Sequence, residues 1–181
     1  DEVVWVLNSR RDTLHDFANY ACKQAQRFLA PSPIRCRLDV DADLPQVPFE
    51  LPVRRSLLLG VKEALNNAAK YSGATELFLR IHRRGKMLRV VVEDNGVGFD
   101  LALVDQERNG LTNMRERMKE LGGTCRITTR PNAGCQVEFQ VLLPRQARLI
   151  SSSGAQDELP IAGLRMISTV SATGGKEIPT R

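Results

Sequence analysis

Twice in this chain an amphipathic helical stretch runs into two strand-like runs joined by a tight turn, and few arrangements close a core around that pattern. The first such helix spans roughly residues 52–72 and is closed by Gly73; strand-like runs follow at 75–83 and 87–94, joined across Arg84–Lys86. The second spans Gly110–Leu121 and is stopped by Gly122-Gly123; runs follow at 124–130 and 135–143, with a turn at Pro131–Gly134. Ahead of both, residues 12–30 set Leu14, Phe17, Ala18, Ala21, Ala25 and Phe28 at three- and four-residue steps, with Asp12 to cap the start and Pro31 to end it. Arg35–Asp41 alternates as a short strand. The predicted order is therefore α-β-α-β-β-α-β-β. The expected fold class is α/β in the α+β sense: a two-layer sandwich whose mixed, mostly antiparallel sheet has its helices packed on one face. A doubly wound parallel fold does not fit.

Composition narrows the function classes. The 181 residues suit one ordinary domain with an appendage. No apolar run approaches the roughly 20 residues that cross a bilayer, and no leader-like segment opens the chain. The net charge of +5 is too mild and scattered to imply nucleic acid. Cys22, Cys36, Cys125 and Cys135 form no CxxC pair and only two histidines are present, which argues against a zinc site or disulfide framework and favours a reducing compartment. Residues 145–181 are rich in Ser, Thr, Gly and Pro and lack aromatics, so they are expected to form a flexible tail. The chain starts at Asp1 without methionine and is expected to be part of a longer one.

Three stretches carry possible chemistry. On the 52–72 helix, at about 100° per residue and with Glu63 at zero, Asn67 falls near about 40° and Lys70 near about −20°. Leu58, Val61, Leu65 and Ala68 take the opposite side. That polar face also suits plain solvation, yet Asn66-Asn67 in mid-helix is costly without a role. A carboxamide oxygen can ligate Mg²⁺, and a lysine one turn on can meet phosphate. In Val90–Asp100 (VVVEDNGVGFD) a buried-looking strand delivers Asp94 to its end, and Gly96 and Gly98 allow tight turning and close approach to a ligand. A carboxylate only accepts hydrogen bonds, which suits an exocyclic amine such as adenine's; an ordinary turn with DNG chemistry is the alternative. Asn109-Gly110-Leu111 opens a helix whose N-terminal N–H groups suit phosphate, with Arg108, Arg115 and Arg117 as possible helpers or mere solvated charges.

Taken together, Glu63–Ser72 (EALNNAAKYS), Asp94–Asp100 (DNGVGFD) and Gly110–Gly123 (GLTNMRERMKELGG) resemble the ATP-binding domain of two-component sensor histidine kinases. The branch they resemble is the one acting on helix-turn-helix response regulators. The wider superfamily shares the Bergerat nucleotide fold with gyrase, a heat-shock chaperone and mismatch-repair ATPases. The resemblance covers about residues 33–144 and implies an ATPase-like domain there, with 1–32 as the end of a preceding helical region and its lead-in helix. It implies ATP and Mg²⁺ as ligands. Asn67 would be the Mg²⁺ ligand, Glu63 the residue polarising a nucleophile or water, and Lys70 and Tyr71 the pair facing the phosphates and nucleotide. Asp94 would read adenine, Gly96 and Gly98 would shape the pocket floor, and Gly110 and Leu111 would begin the phosphate-contacting backbone. Glu63, Asn67 and Lys70 are the residues assigned to catalysis. Two departures stand out: the segment from Phe99 to Gly110 is short, implying a small lid, and Cys135 replaces a common threonine, so a supporting hydroxyl is missing or replaced.

The implied activity is transfer of the ATP γ-phosphoryl group to a histidine on a helical hairpin, for relay to a response regulator receiver domain, in the cytoplasm. The fragment itself is expected to be soluble, as the cytoplasmic portion of a bacterial sensor whose parent chain can be membrane-anchored. His15 in Leu14-His15-Asp16 echoes an acceptor box, but too little chain separates it from Glu63 to hold the hairpin, and His82 lies in a strand. The acceptor hairpin, also the dimerising element, is expected to precede Asp1, with Val3–Leu7 as the last turns of its second helix, so this chain alone should not phosphorylate itself. A related ATPase or serine protein kinase, or a non-catalytic nucleotide-sensing module, is the alternative.

Overall fold

The computed structural model describes residues 13–103 and 109–143. Expectations for Val3–Leu7, Asp12, Arg108 and the tail 145–181 lie outside the described residues. The elements run α1 (Leu14–Leu29), β1 (Arg35–Val40), α2 (Leu51–Asn67), β2 (Glu76–Arg84), β3 (Met87–Asp94), α3 (Asn109–Glu120), β4 (Thr124–Thr129) and β5 (Cys135–Leu142). Their order is the one expected. The five strands form one sheet in the order β1-β2-β3-β5-β4. β1 and β2 are parallel, since α2 carries the chain back between them, and the other pairs are antiparallel. Gly85, at φ +60°, opens the two-residue turn between β2 and β3.

Alternation along the strands decides which face the helices cover. Leu79, Val92, Val137 and Ile127 form one cross-strand row, and Ile81, Val90, Phe139 and Cys125 the next. Almost all of these side chains are buried, and the helices pack on this side through Leu14, Phe17, Leu57, Leu65, Met114 and Met118. The opposite face is polar. There Arg80 pairs with Glu93 and lies 4.6 Å over the Phe78 ring, while Arg37 meets Glu76 at 3.1 Å. Arg89 binds Glu138 and holds its carboxyl below the usual carboxylate range. Val91 is buried on this polar face, alongside its register partners Arg80 and Glu138. Among the described residues, no helix is long and apolar enough to cross a membrane.

Three local expectations need correction. The N-cap of α1 is Thr13: its hydroxyl accepts the Asp16 N–H at 3.1 Å and donates to the Asp16 carboxylate. Phe28 is only partly buried, and Leu29, a four-residue step from Ala25, takes the core position at that end. The 52–72 stretch is also not one α-helix. After Asn67 the chain continues as a π-helical turn, Ala68–Ser72, ended by Gly73 at φ +59°.

Close packing of α2 on the sheet gives a first prediction. A Cβ at Gly60 would stand 2.8 Å from the ring of the fully buried Phe139. Alanine gains about 1 kcal/mol of helix propensity over glycine, against about 1–3 kcal/mol for overpacking a rigid core. Gly60→Ala is therefore expected to lower the midpoint of chemical unfolding at unchanged m-value; a raised midpoint would show that the ring yields freely.

Candidate functional site

The π-helical turn is the first element of the site. The Ser72 hydroxyl donates to the Ala68 carbonyl at 2.6 Å, the acceptor that the Ser72 N–H would use in an α-helix, and accepts the Ala74 N–H at 3.0 Å. The backbone takes the wider i→i+5 pattern there, so each residue advances less around the axis. Lys70, inside that turn, is therefore carried less far around the axis than in a regular α-helix. Asn67 closes the regular helix and is half-buried, Lys70 is exposed, and Tyr71 is 67% exposed. The costly Asn66-Asn67 pair thus marks the change from α to π geometry.

The loop after β3 docks on that turn. Val97 N–H donates to the Ser72 carbonyl at 2.8 Å. A Cβ on Gly96 would overlap the same carbonyl and stand 2.6 Å from Ser72 Cβ. The Asn95 side chain accepts the N–H groups of Thr75 and Glu76, both at 3.0 Å, pinning the start of β2 to the end of β3. Gly98, at φ +57°, lies so close to the Arg130 carbonyl that a side chain there would collide with it. The close approach that Gly96 and Gly98 permit is thus made to protein backbone, which fixes the loop.

Asp94 is itself a buried carboxylate, 9% exposed. Burial pushes its carboxyl above the usual range, and this outweighs the Gly96 N–H, which donates at 2.8 Å, and the Cys135 N–H. A desolvated carboxylate of raised basicity is a strong acceptor for an amine. Beside it, burial and the Asp94 charge push the Cys135 thiol up to about 11, so it stays protonated at neutral pH.

A second junction lies further back on α2. Glu63 Oε1 sits so close to Gly110 that any side chain there would overlap it. The carboxylate therefore faces the first turn of α3, where the helix dipole favours negative charge. Gly60, Glu63, Gly110, Asn113, Met114 and Arg117 line a groove of about 120 Å³ here. Leu111 packs against the core, leaving its backbone for the role expected of it. The segment expected to form a short lid falls partly on residues 104–108, outside the described residues; Leu101–Leu103 before them form a single 3-10 turn.

The structure thus brings Glu63 to Gly110, and Asp94 with Gly96 to Ser72, with Asn67 and Lys70 in the stretch of helix between the two junctions. His15 lies on α1, its Nδ1 3.1 Å from the Asn19 carboxamide, and His82 faces Asp39 at 3.1 Å on the open side of the sheet. Among the described residues, no group of three or more His, Cys, Asp or Glu side chains is placed to hold a metal. Ser72, Asn95 and Thr129 were not singled out from the sequence. Asn95 alone carried a usable signal, the DNG turn chemistry, whereas the contacts of the other two depend on distant segments.

The family of histidine kinase-, DNA gyrase B- and HSP90-like ATPases matches residues 53–146, more than half of the chain. The protein belongs to this ATPase family. Among curated relatives it is similar to the sensor protein VraS of Staphylococcus saprophyticus, 33% identical over 100 residues, and to the sensor histidine kinase LiaS of Bacillus subtilis, 31% identical over 104 residues. These alignments cover 54% and 58% of this chain and 29% of each relative, so the chain spans under a third of their length. The histidine kinase domain of the blue-light-activated histidine kinase of Erythrobacter litoralis superposes with a TM-score of 0.62 at 20% identity, covering 78% of this chain and 69% of that one. That likeness concerns the fold, and the two-layer architecture expected from the sequence is the one shared with this ATPase family.

Proposed function

We propose that this chain is the ATP-binding catalytic unit of a sensor histidine kinase, with its ATPase domain at about residues 33–144, and that it transfers the γ-phosphoryl group to a histidine on a helical hairpin for relay to a response regulator. The observation that carries this is the desolvated Asp94 carboxylate held by glycine-tight backbone against the end of the helix that bears Glu63 and Asn67. In this assignment Asp94 accepts the adenine amine, and Gly96 and Gly98 keep the pocket floor thin. Asn67 holds Mg²⁺, for which a neutral carboxamide oxygen is a suitable hard donor. When bound, the ion offsets the charge of the phosphates. Lys70 and the backbone from Gly110 and Leu111 meet phosphate oxygens, and exposed Tyr71 covers the nucleotide. Glu63, beside that backbone, orients the attacking group. Positioning and charge compensation are most of what phosphoryl transfer asks of a protein.

The test supplies γ-labelled ATP, Mg²⁺ and a separate acceptor hairpin. Label is expected on the hairpin, stable to base and lost in acid, with none on His15 or His82. Acid-stable label would mark a serine kinase. Release of phosphate without label would mark an ATPase, and nucleotide binding with neither product would mark a sensing module.

A further inference from the structure

The polar end of the sheet holds a residue that nothing above has used. Leu77, Asp94, Cys135 and Thr129 are register partners across β2, β3, β5 and β4. One row on the helix-facing side therefore presents a carboxylate, a thiol and a hydroxyl in succession. Thr129 stands two strands from Asp94, about 10 Å at the usual ~4.8 Å spacing, and cannot touch the same ligand atom. Beside a side-chain contact with Cys135, its connection runs through backbone. The half-buried hydroxyl accepts the Phe99 N–H at 3.0 Å and donates to the Gly134 carbonyl at 2.9 Å, with the Phe99 carbonyl a longer alternative at 3.4 Å.

Those two partners belong to the segments that flank Asp94. Gly134 N–H donates to the Gly96 carbonyl at 2.9 Å, and Asn132 N–H to the Val97 carbonyl at 2.6 Å. A Cβ at Gly134 would overlap the Asp94 carbonyl. The loop and the turn thus lie backbone to backbone with no side chain between them, and the Thr129 hydroxyl bonds to both. Any slip of the loop moves Gly96, whose N–H aims the Asp94 carboxylate. Cys135 is a poor substitute, because a thiol is a weak donor and a weak acceptor.

We infer that Thr129 is a positioning residue that sets purine selectivity: its hydroxyl locks the 96–99 loop to the 130–134 turn and so fixes the direction in which Asp94 presents its carboxylate to a 6-amino purine. This rests on the assignment of Asp94 to adenine. It also answers the departure at Cys135, since the supporting hydroxyl comes from the neighbouring strand and works on the loop instead of the base.

Calorimetric titration of the 181-residue chain with ATP and with inosine triphosphate, which carries oxygen in place of the amine, tests it. The parent protein should prefer ATP. Thr129→Val, which keeps the shape and removes both bonds, should lose about tenfold in ATP affinity and little for inosine triphosphate, collapsing the ratio; Thr129→Ser should keep it. Equal losses for both nucleotides, or an undiminished ratio in the valine variant, would overturn the role of Thr129 and leave that of Asp94 intact. A parent protein that binds both alike would overturn both. Should the valine variant not fold, amide exchange in the unliganded parent decides: a protected Phe99 N–H is expected, and rapid exchange would overturn the inference.

Discussion

Asp94→Asn is expected to weaken ATP binding about ten- to a hundredfold, the range for losing a charge-assisted hydrogen bond, while inorganic triphosphate binds nearly as before. The stability of the unliganded protein should move the other way. Burial raises the Asp94 carboxyl above its unfolded value, so the folded state holds this proton more tightly and loses stability as pH rises through the interval between the two values. At neutral pH the ionised group is thus a net burden, and asparagine relieves it. The variant should melt no lower than the parent at pH 7 yet lose most of its ATP-induced thermal shift. ATP affinity in the parent should also fall on acidification as Asp94 takes up its proton, beginning above the ordinary carboxylate range, and inosine triphosphate serves as the control for phosphate titration. Equal weakening of ATP and triphosphate, or a large drop in unliganded stability, would remove Asp94 from the adenine pocket and make it a structural acceptor for Gly96 and Cys135.

Asn67→Ala is the second large effect. With the carboxamide gone, added Mg²⁺ should no longer tighten nucleotide binding, and transfer to a supplied hairpin should fall by more than about a hundredfold, as when a preorganised charge-stabilising group is removed. Residual, metal-independent ATP binding should persist through Asp94. A thermal-shift titration with Mg²⁺ at fixed ATP reads this directly, because ligand that binds only the folded state stabilises it with occupancy. Since Asn67 is the last α-helical residue before the π turn, alanine there should not lower helix propensity. An unchanged metal titration would assign the ion to another group, and intact phosphotransfer with altered partner binding would favour the sensing module.

The two junctions of the site differ in how visible they were. That Glu63, Asn67, Asp94 and Gly110 share one chemistry could be proposed from three short motifs, each with its residue types at meaningful spacing. The sequence suggests that Gly96 and Gly98 allow close approach to a ligand; what the structure shows approaching them is the protein's own backbone at Ser72 and Arg130. The angular reading of α2 assumes an α-helical repeat as far as Lys70, whereas Ala68–Ser72 is π-helical and carries the bond from the Ser72 hydroxyl to the Ala68 carbonyl. Periodicity has no means of announcing such a bond.

Taken alone, the sequence determined the succession of helices and strands, the core side of α2 and the residue types proposed for the nucleotide site. These are matters of period, breakers and local chemistry, carried by neighbours within a few positions of one another. The tertiary structure alone decided that β5 inserts between β3 and β4, that Glu63 meets the start of α3, and that a threonine across from Cys135 ties the Asp94 loop in place. Each of these joins segments far apart in the chain. Strand register and glycine-tight backbone contact arise only when the whole sheet and its helices settle together, so no local pattern encodes them.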